Sequence, residues 1–221
     1  MRKTEFANEE YYHIFNRGVD KRIIFQSQKD YERFLISMEL LNDRRNNLMV
    51  KWRDFKKFNP RAKLLDFPEF NSSKRERLVD LMAYCLNPNH KHLIMKQLVE
   101  NGVQLYMHKL STSYTNYFNV KYKRSGSLFQ GPFKSVHINS NRQLLYLSAY
   151  VNSNHFIHGY KAENDWEYSS LWDYLGRRSD SMCNLEPILN QFKTINEYEK
   201  FIRDNALYMK EKKKMREYLL E

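Results

Sequence analysis

The chain predicts an α+β fold, because its segments alternate as β-α-β-β-α-β and then add a helix. Three observations carry this. Two segments repeat apolar residues at three- and four-residue spacing, as a half-buried helix does. Between them lie short apolar runs bounded by turn residues, as strands do. The two central runs are separated only by the turn Asn87-Pro88-Asn89.

The elements follow in order. Tyr11-Tyr12-His13-Ile14-Phe15-Asn16 reads as a first strand, closed by Arg17-Gly18. Gln28 to Leu41 reads as a helix, with Tyr31, Phe34, Leu35, Met38 and Leu41 on one face. Residues from about Asn42 to Lys74 are rich in Lys, Arg, Asn and Phe and are broken by Pro60 and Pro68. They read as an inserted excursion, most simply a solvated loop. A second strand spans about Leu78 to Leu86 and a third about His92 to Gln97. A long helix follows from about Gly102 to Tyr122, its stripe marked by Val103, Tyr106, Met107, Leu110, Tyr114 and Tyr117. Leu128 to Ile138 reads as a fourth strand, bent near Gly131-Pro132. Asn139 or Ser140 is a candidate cap for a helix from about Arg142 to Asn154. This order is the ferredoxin-like plan, an antiparallel sheet with two helices on one face. Here it carries an additional helix and a helical C-terminal extension. The expected domains are 8–160, with the insertion at about 42–74, and an extension over 161–221.

Bulk composition narrows the function. The 221 residues carry a formal net charge of +11. Such a balance favours a polyanionic partner, nucleic acid before an acidic membrane surface. Aromatic residues are 15% of the chain. Basic groups that grip phosphates, mixed with rings that stack unpaired bases, suit single-stranded nucleic acid. The two cysteines, Cys85 and Cys183, form neither a disulfide framework nor a zinc spacing. No apolar run approaches a membrane span, and the N-terminus leads into no signal-like segment. A reducing cytoplasm is expected.

Chemistry concentrates at two places. On a strand, residues i and i+2 face the same side, so His90 and His92 point together and Lys91 points away. Two neutral imidazoles on a rigid strand can hold one divalent ion, or can each satisfy a local hydrogen bond. Tyr150 and Asn154 are four residues apart and share a helical face. A phenol with a reference pKa near 10 becomes a nucleophile only when activated, and Tyr146 and Tyr150 serve equally as core aromatics. Asn154 can complete a metal shell or end the helix.

Several motifs then fall into one order. Tyr12-His13-Ile14-Phe15-Asn16-Arg17-Gly18 resembles the first-strand motif of the single-tyrosine HUH transposases, most closely the REP-associated tyrosine transposases. Pro88-Asn89-His90-Lys91-His92-Leu93 resembles their HUH motif. Tyr117-Phe118-Asn119 and Gly126 to Ser135 are similar to the signature after the central helix, and Tyr150-Val151-Asn152-Ser153-Asn154 to the nucleophile segment. Trp166 to Ser170 and Tyr174-Leu175-Gly176 resemble the block that follows in the REP-associated branch. The resemblance covers about residues 11 to 176. Lys91 departs from it where a bulky apolar residue is usual. Pro132 stands where a basic residue is often found, and the 42–74 excursion is not part of the minimal pattern.

The resemblance implies roles. His90 and His92, with Asn154 as third ligand, would hold Mg²⁺ or Mn²⁺. Tyr150 would attack a scissile phosphate, giving a 5′-phosphotyrosine and a free 3′-hydroxyl that permits rejoining. Arg17, Lys121, Lys123, Arg124, Lys134 and Arg142 would grip DNA phosphates. The implied partner is single-stranded DNA with a hairpin, handled by a homodimer or a monomer in a bacterial, nucleoid-associated setting. Two other readings stay open: a non-catalytic module binding hairpin DNA or RNA, and a metal-dependent nuclease that uses water.

Overall fold

Strand β1 (Tyr11–Arg17) lies inside a four-stranded antiparallel sheet of order β2-β3-β1-β4, where β2 is Val79–Asn87, β3 His90–Gln97 and β4 Lys134–Ile138. This is a computed structural model, and it describes residues 5–162 and 165–218. Of the predicted C-terminal extension, residues 163–164 and the last three lie outside the described residues.

The β2–β3 hairpin turns on Pro88-Asn89, with Asn87 paired to His90. Its tip is braced by backbone hydrogen bonds: Ile24 and Phe25 donate to the Pro88 carbonyl, and Gly18 donates to that of Asn89. Gly18 is needed for this brace, since a Cβ there would sit 2.3 Å from the Arg22 carbonyl oxygen. Strand β3 begins at His90, two residues earlier than the apolar run indicates, so both histidines stand on the strand.

Helix α1 (Gln28–Leu41) has the predicted bounds. Ser27 and Asp30 form a capping box, with the Asp30 carboxylate accepting from the Ser27 and Gln26 amides. The excursion is not a solvated loop. It folds helix α2 (Leu48–Phe58), and Leu48 and Trp52 pack with Leu40 and Phe67 into a small satellite core. The Lys- and Arg-rich outer face of α2 masks these few apolar anchors in the sequence. Helix α3 (Gly102–Lys121) packs beside α1, and the Tyr106 hydroxyl donates to the Met38 carbonyl. These two helices occupy one face of the sheet, as the ferredoxin-like plan requires.

The fourth strand is shorter than predicted. Gly131 has φ +64 and Pro132 has no amide, so the ladder begins only at Lys134. Upstream, one isolated bridge joins Phe129 to Gly18.

Helix α4 (Asn141–Asn152) crosses β2 and β3, and Ser140 caps it by accepting from the Gln143 amide. The predicted continuous helix to Asn154 breaks at Ser153, and Asn154 opens the short helix α5 (Asn154–Ile157). Ser153 keeps a near-helical backbone, φ −102 and ψ 7, so the break does not turn Asn154 away from Tyr150.

The 166–170 block lies along the outer edge of β2. Tyr168 and Ser170 exchange backbone hydrogen bonds with Leu86 and Tyr84, and the Trp166 indole donates to the Leu86 carbonyl. An otherwise open sheet edge is thereby covered. Short helices α6 (Leu171–Tyr174) and α7 (Glu186–Leu189) lead to α8 (Ile195–Tyr218). Tyr198 and Ile202 of α8 join the main core, and the Tyr198 hydroxyl accepts from the Asn152 amide of α4. Among the described residues, no helix is long and apolar enough to cross a membrane.

Candidate active site

Antiparallel pairing puts Phe15 opposite His92 and Arg17 opposite His90. The odd-numbered residues of β1 and the two histidines of β3 therefore share one face of the sheet. Lys91 takes the other face, fully buried between α1 and the 128–133 segment. Its ammonium lies 3.7 Å from the centre of the Phe129 ring and 5.0 Å from that of Phe34. That ammonium has no hydrogen-bond partner, and burial lowers its pKa to about 7.

Helix α4 lies over the histidine face. The Tyr150 ring meets His92 edge-on, with centres 5.4 Å apart, and meets His13 in the same way at 6.1 Å. Asn154 Oδ1 is 2.9 Å from His90 Nε2 and accepts from Asn87 Nδ2 at 2.6 Å. The structure thus brings together all four residues of the predicted catalytic and ligand set.

The hydrogen bonds around this set orient the imidazoles. His90 Nδ1 lies 2.6 Å from Asn89 Oδ1, a carbonyl oxygen that can only accept, so Nδ1 carries the proton. Nε2 then accepts from Asn87 Nδ2 at 2.9 Å, and Asn154 Oδ1 lies at the same distance. His92 Nδ1 is paired with His13 Nε2 at 2.9 Å, leaving the His92 Nε2 atom for other partners. Asn154 Nδ2 is buried, and the Asn154 side chain also interacts with the Tyr150 phenol. Burial lowers the pKa of His90, pushes that of His13 down to about 4, and holds His92 well below the ordinary value. All three rings are neutral at pH 7, the state a metal ligand requires.

Among the described residues no three His, Cys, Asp or Glu side chains form a metal site. The donor set that fits an ion is two imidazoles and one amide oxygen, with open positions for phosphate oxygens. This mixed nitrogen and oxygen set is compatible with a divalent ion that keeps open positions.

The site opens into a cleft of about 490 Å³. Arg17 and Lys134 of the predicted DNA-binding set line it, with Arg17 Nε bonded to Gln130. The other four lie elsewhere. Lys121 forms an ion pair with buried Asp30 at 2.6 Å, and Arg124 braces the loop after α3 through Asn119 and the Ser127 carbonyl. Lys123 and Arg142 are exposed away from the cleft lining. Sequence reading missed His13, Asn87, Asn89, His158, Tyr160 and Lys213 as neighbours of the site. His13 had a signal in its strand parity with Arg17, and Asn87 and Asn89 had one in the turn that leads into His90. His158, Tyr160 and Lys213 depend on contacts across the fold.

Fold and site together describe a ferredoxin-like sheet with a histidine pair on one strand and a facing tyrosine on a helix. Residues 69–154 match the family model described as "Transposase IS200 like". Among solved structures the chain resembles one described as a REP-associated tyrosine transposase bound to a REP hairpin. The TM-score is 0.53 at 11% identity, over 83% of this chain and 93% of that one. No curated protein sequence matches the chain. The chain is therefore similar to the IS200-like transposases over residues 69–154 and shares the fold of that solved structure.

Proposed function

We propose that the chain cleaves and rejoins single-stranded DNA beside a hairpin, through a 5′-phosphotyrosine on Tyr150. The observation that carries this reading is the convergence of Tyr150, His90, His92 and Asn154 at one cationic cleft.

Burial raises the Tyr150 pKa, and the adjacent Asn154 amide offsets part of that rise. A buried phenol is a weak nucleophile, so positive charge must develop beside it for attack. His90, His92 and Asn154 would hold a divalent ion, which when bound polarises the scissile phosphate. Arg17 and Lys134 face the same cleft and would hold flanking phosphates. The Tyr150 oxygen forms a bond to phosphorus, the bond from phosphorus to the 3′ oxygen breaks, and the phenolic proton is transferred to the leaving oxygen. An incoming 3′-hydroxyl then reverses the step and restores the phosphodiester. Tyr146 is more exposed and does not line the cleft, which supports Tyr150 as nucleophile.

The test is incubation with end-labelled hairpin DNA bearing single-stranded flanks, in Mg²⁺ or Mn²⁺, followed by a denaturing gel. A labelled protein–DNA band is expected, lost in Tyr150→Phe and His90→Ala and retained in Tyr146→Phe. Tight hairpin binding with no covalent band under either metal would make the chain a binding module. Cleaved ends without attached protein would indicate hydrolysis by water.

A further inference from the structure

The wall of the cleft opposite β1 is built by the C-terminal part of the chain. Lys213, on α8, lines the cleft together with His158 and Tyr160. Its ammonium lies 3.1 Å from His158 Nδ1, 55 residues away in sequence. The His158 ring centre is 4.7 Å from that of His90. Tyr160 stacks on His158 with an interplanar angle of 19° and donates from its hydroxyl to Asn89 Oδ1, the group that also fixes His90. One contiguous path thus runs from α8 to the histidine pair.

The position of Lys213 is not incidental to a basic helix end. Lys210 lies over the Phe156 ring and Lys212 over the Tyr208 ring, and neither lines the cleft. Packing of Tyr198 and Ile202 into the main core anchors α8 and thereby aims Lys213.

We propose that Lys213, seated on His158, grips a DNA phosphate next to the scissile one and so makes α8 part of the substrate site. The assignment rests on the DNA strand-transfer reading above. A lysine at that position supplies a point charge to a phosphodiester, and Arg17 and Lys134 supply the opposite wall. Lys213 is a positioning residue for the strand rather than a participant in bond making.

The experiment compares wild type, Lys213→Gln, Lys213→Arg and Lys212→Gln, using a hairpin oligonucleotide with a single-stranded flank. Readouts are binding across a salt series and the adduct rate at subsaturating and saturating DNA. Loss of one phosphate contact should weaken binding roughly threefold to tenfold and reduce the log–log salt slope by about 0.7. The saturating adduct rate should change little, Lys213→Arg should recover the affinity, and Lys212→Gln should match wild type. Thermal melting checks that each variant folds. An unchanged salt slope in Lys213→Gln, or an equal loss in Lys212→Gln, would overturn the assignment. So would tighter binding or faster reaction in Lys213→Gln, because α8 would then obstruct the cleft. Absence of any adduct with wild type would instead count against the strand-transfer reading, and the salt series still tests the phosphate contact by itself.

Discussion

His13 Nε2 lies 2.9 Å from His92 Nδ1, joining the edge of the site on β1 to the buried histidine of β3. Both rings are buried and nearly stacked, with 17° between their planes. The pair fixes which nitrogen of His92 faces away from the sheet interior. A ring that orients a metal ligand affects affinity without touching the ion. His13→Ala should therefore raise the Mn²⁺ concentration needed for half-maximal adduct formation by about 10- to 100-fold. Titrating Mn²⁺ in the gel assay checks this, and an unchanged half-saturation point would count against the orienting role.

Lys91 is a buried cation held only by aromatic faces. Removing its charge should stabilise the fold. Its folded pKa, about 7, lies below the unfolded value near 10.5. Between these values the unfolded state binds more protons, so stability rises with pH across that window, and the full penalty is present below it. Lys91→Met should gain about 1–3 kcal/mol at pH 6, net of the lost cation–π contact, and the gain should shrink toward pH 10. Urea midpoints of both proteins at pH 6 and pH 9.5 measure this directly. A gain independent of pH would assign the effect to packing instead.

Asp30 carries the opposite sign. Burial would raise its pKa, but hydrogen bonds from Lys121, Tyr122, the Gln26 amide and Tyr117 outweigh it and hold the value below the ordinary range. The group contributes stability above the unfolded carboxylate pKa, and that contribution is lost as pH falls through the lowered folded value. Asp30→Ala leaves several donors unpaired and should cost about 3 kcal/mol at pH 7. Chemical denaturation at pH 7 and at pH 3 should show the difference between the proteins narrowing in acid.

The satellite core under α2 gives a local prediction. Trp52 packs against Phe55 and Phe67, apart from the main cluster. Trp52→Ala should cost about 3 kcal/mol locally, near the lower end for a buried aromatic. The expected result is faster proteolysis within 59–74 with little change in Tyr150 adduct formation. Loss of adduct in a folded Trp52→Ala protein would show that the insertion supports the site.

Much of this protein was legible from sequence because strand and helix periodicities are local. The bounds of α1, the shared face of His90 and His92, and the placement of Lys91 opposite them follow from spacing alone. Motif order singled out Tyr150 and Asn154 together. Where several weak local signals compete, spacing misled. Few apolar anchors hid α2 among charged residues. The apolar run 128–133 read as strand, although Gly131 and Pro132 prevent the ladder there. The break at Ser153 has no periodic signature.

What only the tertiary structure decided is which distant side chains meet. His13 reaches His92 because β1 pairs with β3 in one register, and a shift of one residue would put it on the opposite face. Lys121 is held by Asp30 because α3 packs on α1, although its position among basic residues reads as a DNA contact. Lys213 enters the cleft because Tyr198 and Ile202 bury against the main core and set the path of α8. A sequence determines which residues a strand or helix presents on each face. Burial of apolar surface between elements determines which faces meet, and that assembles the site.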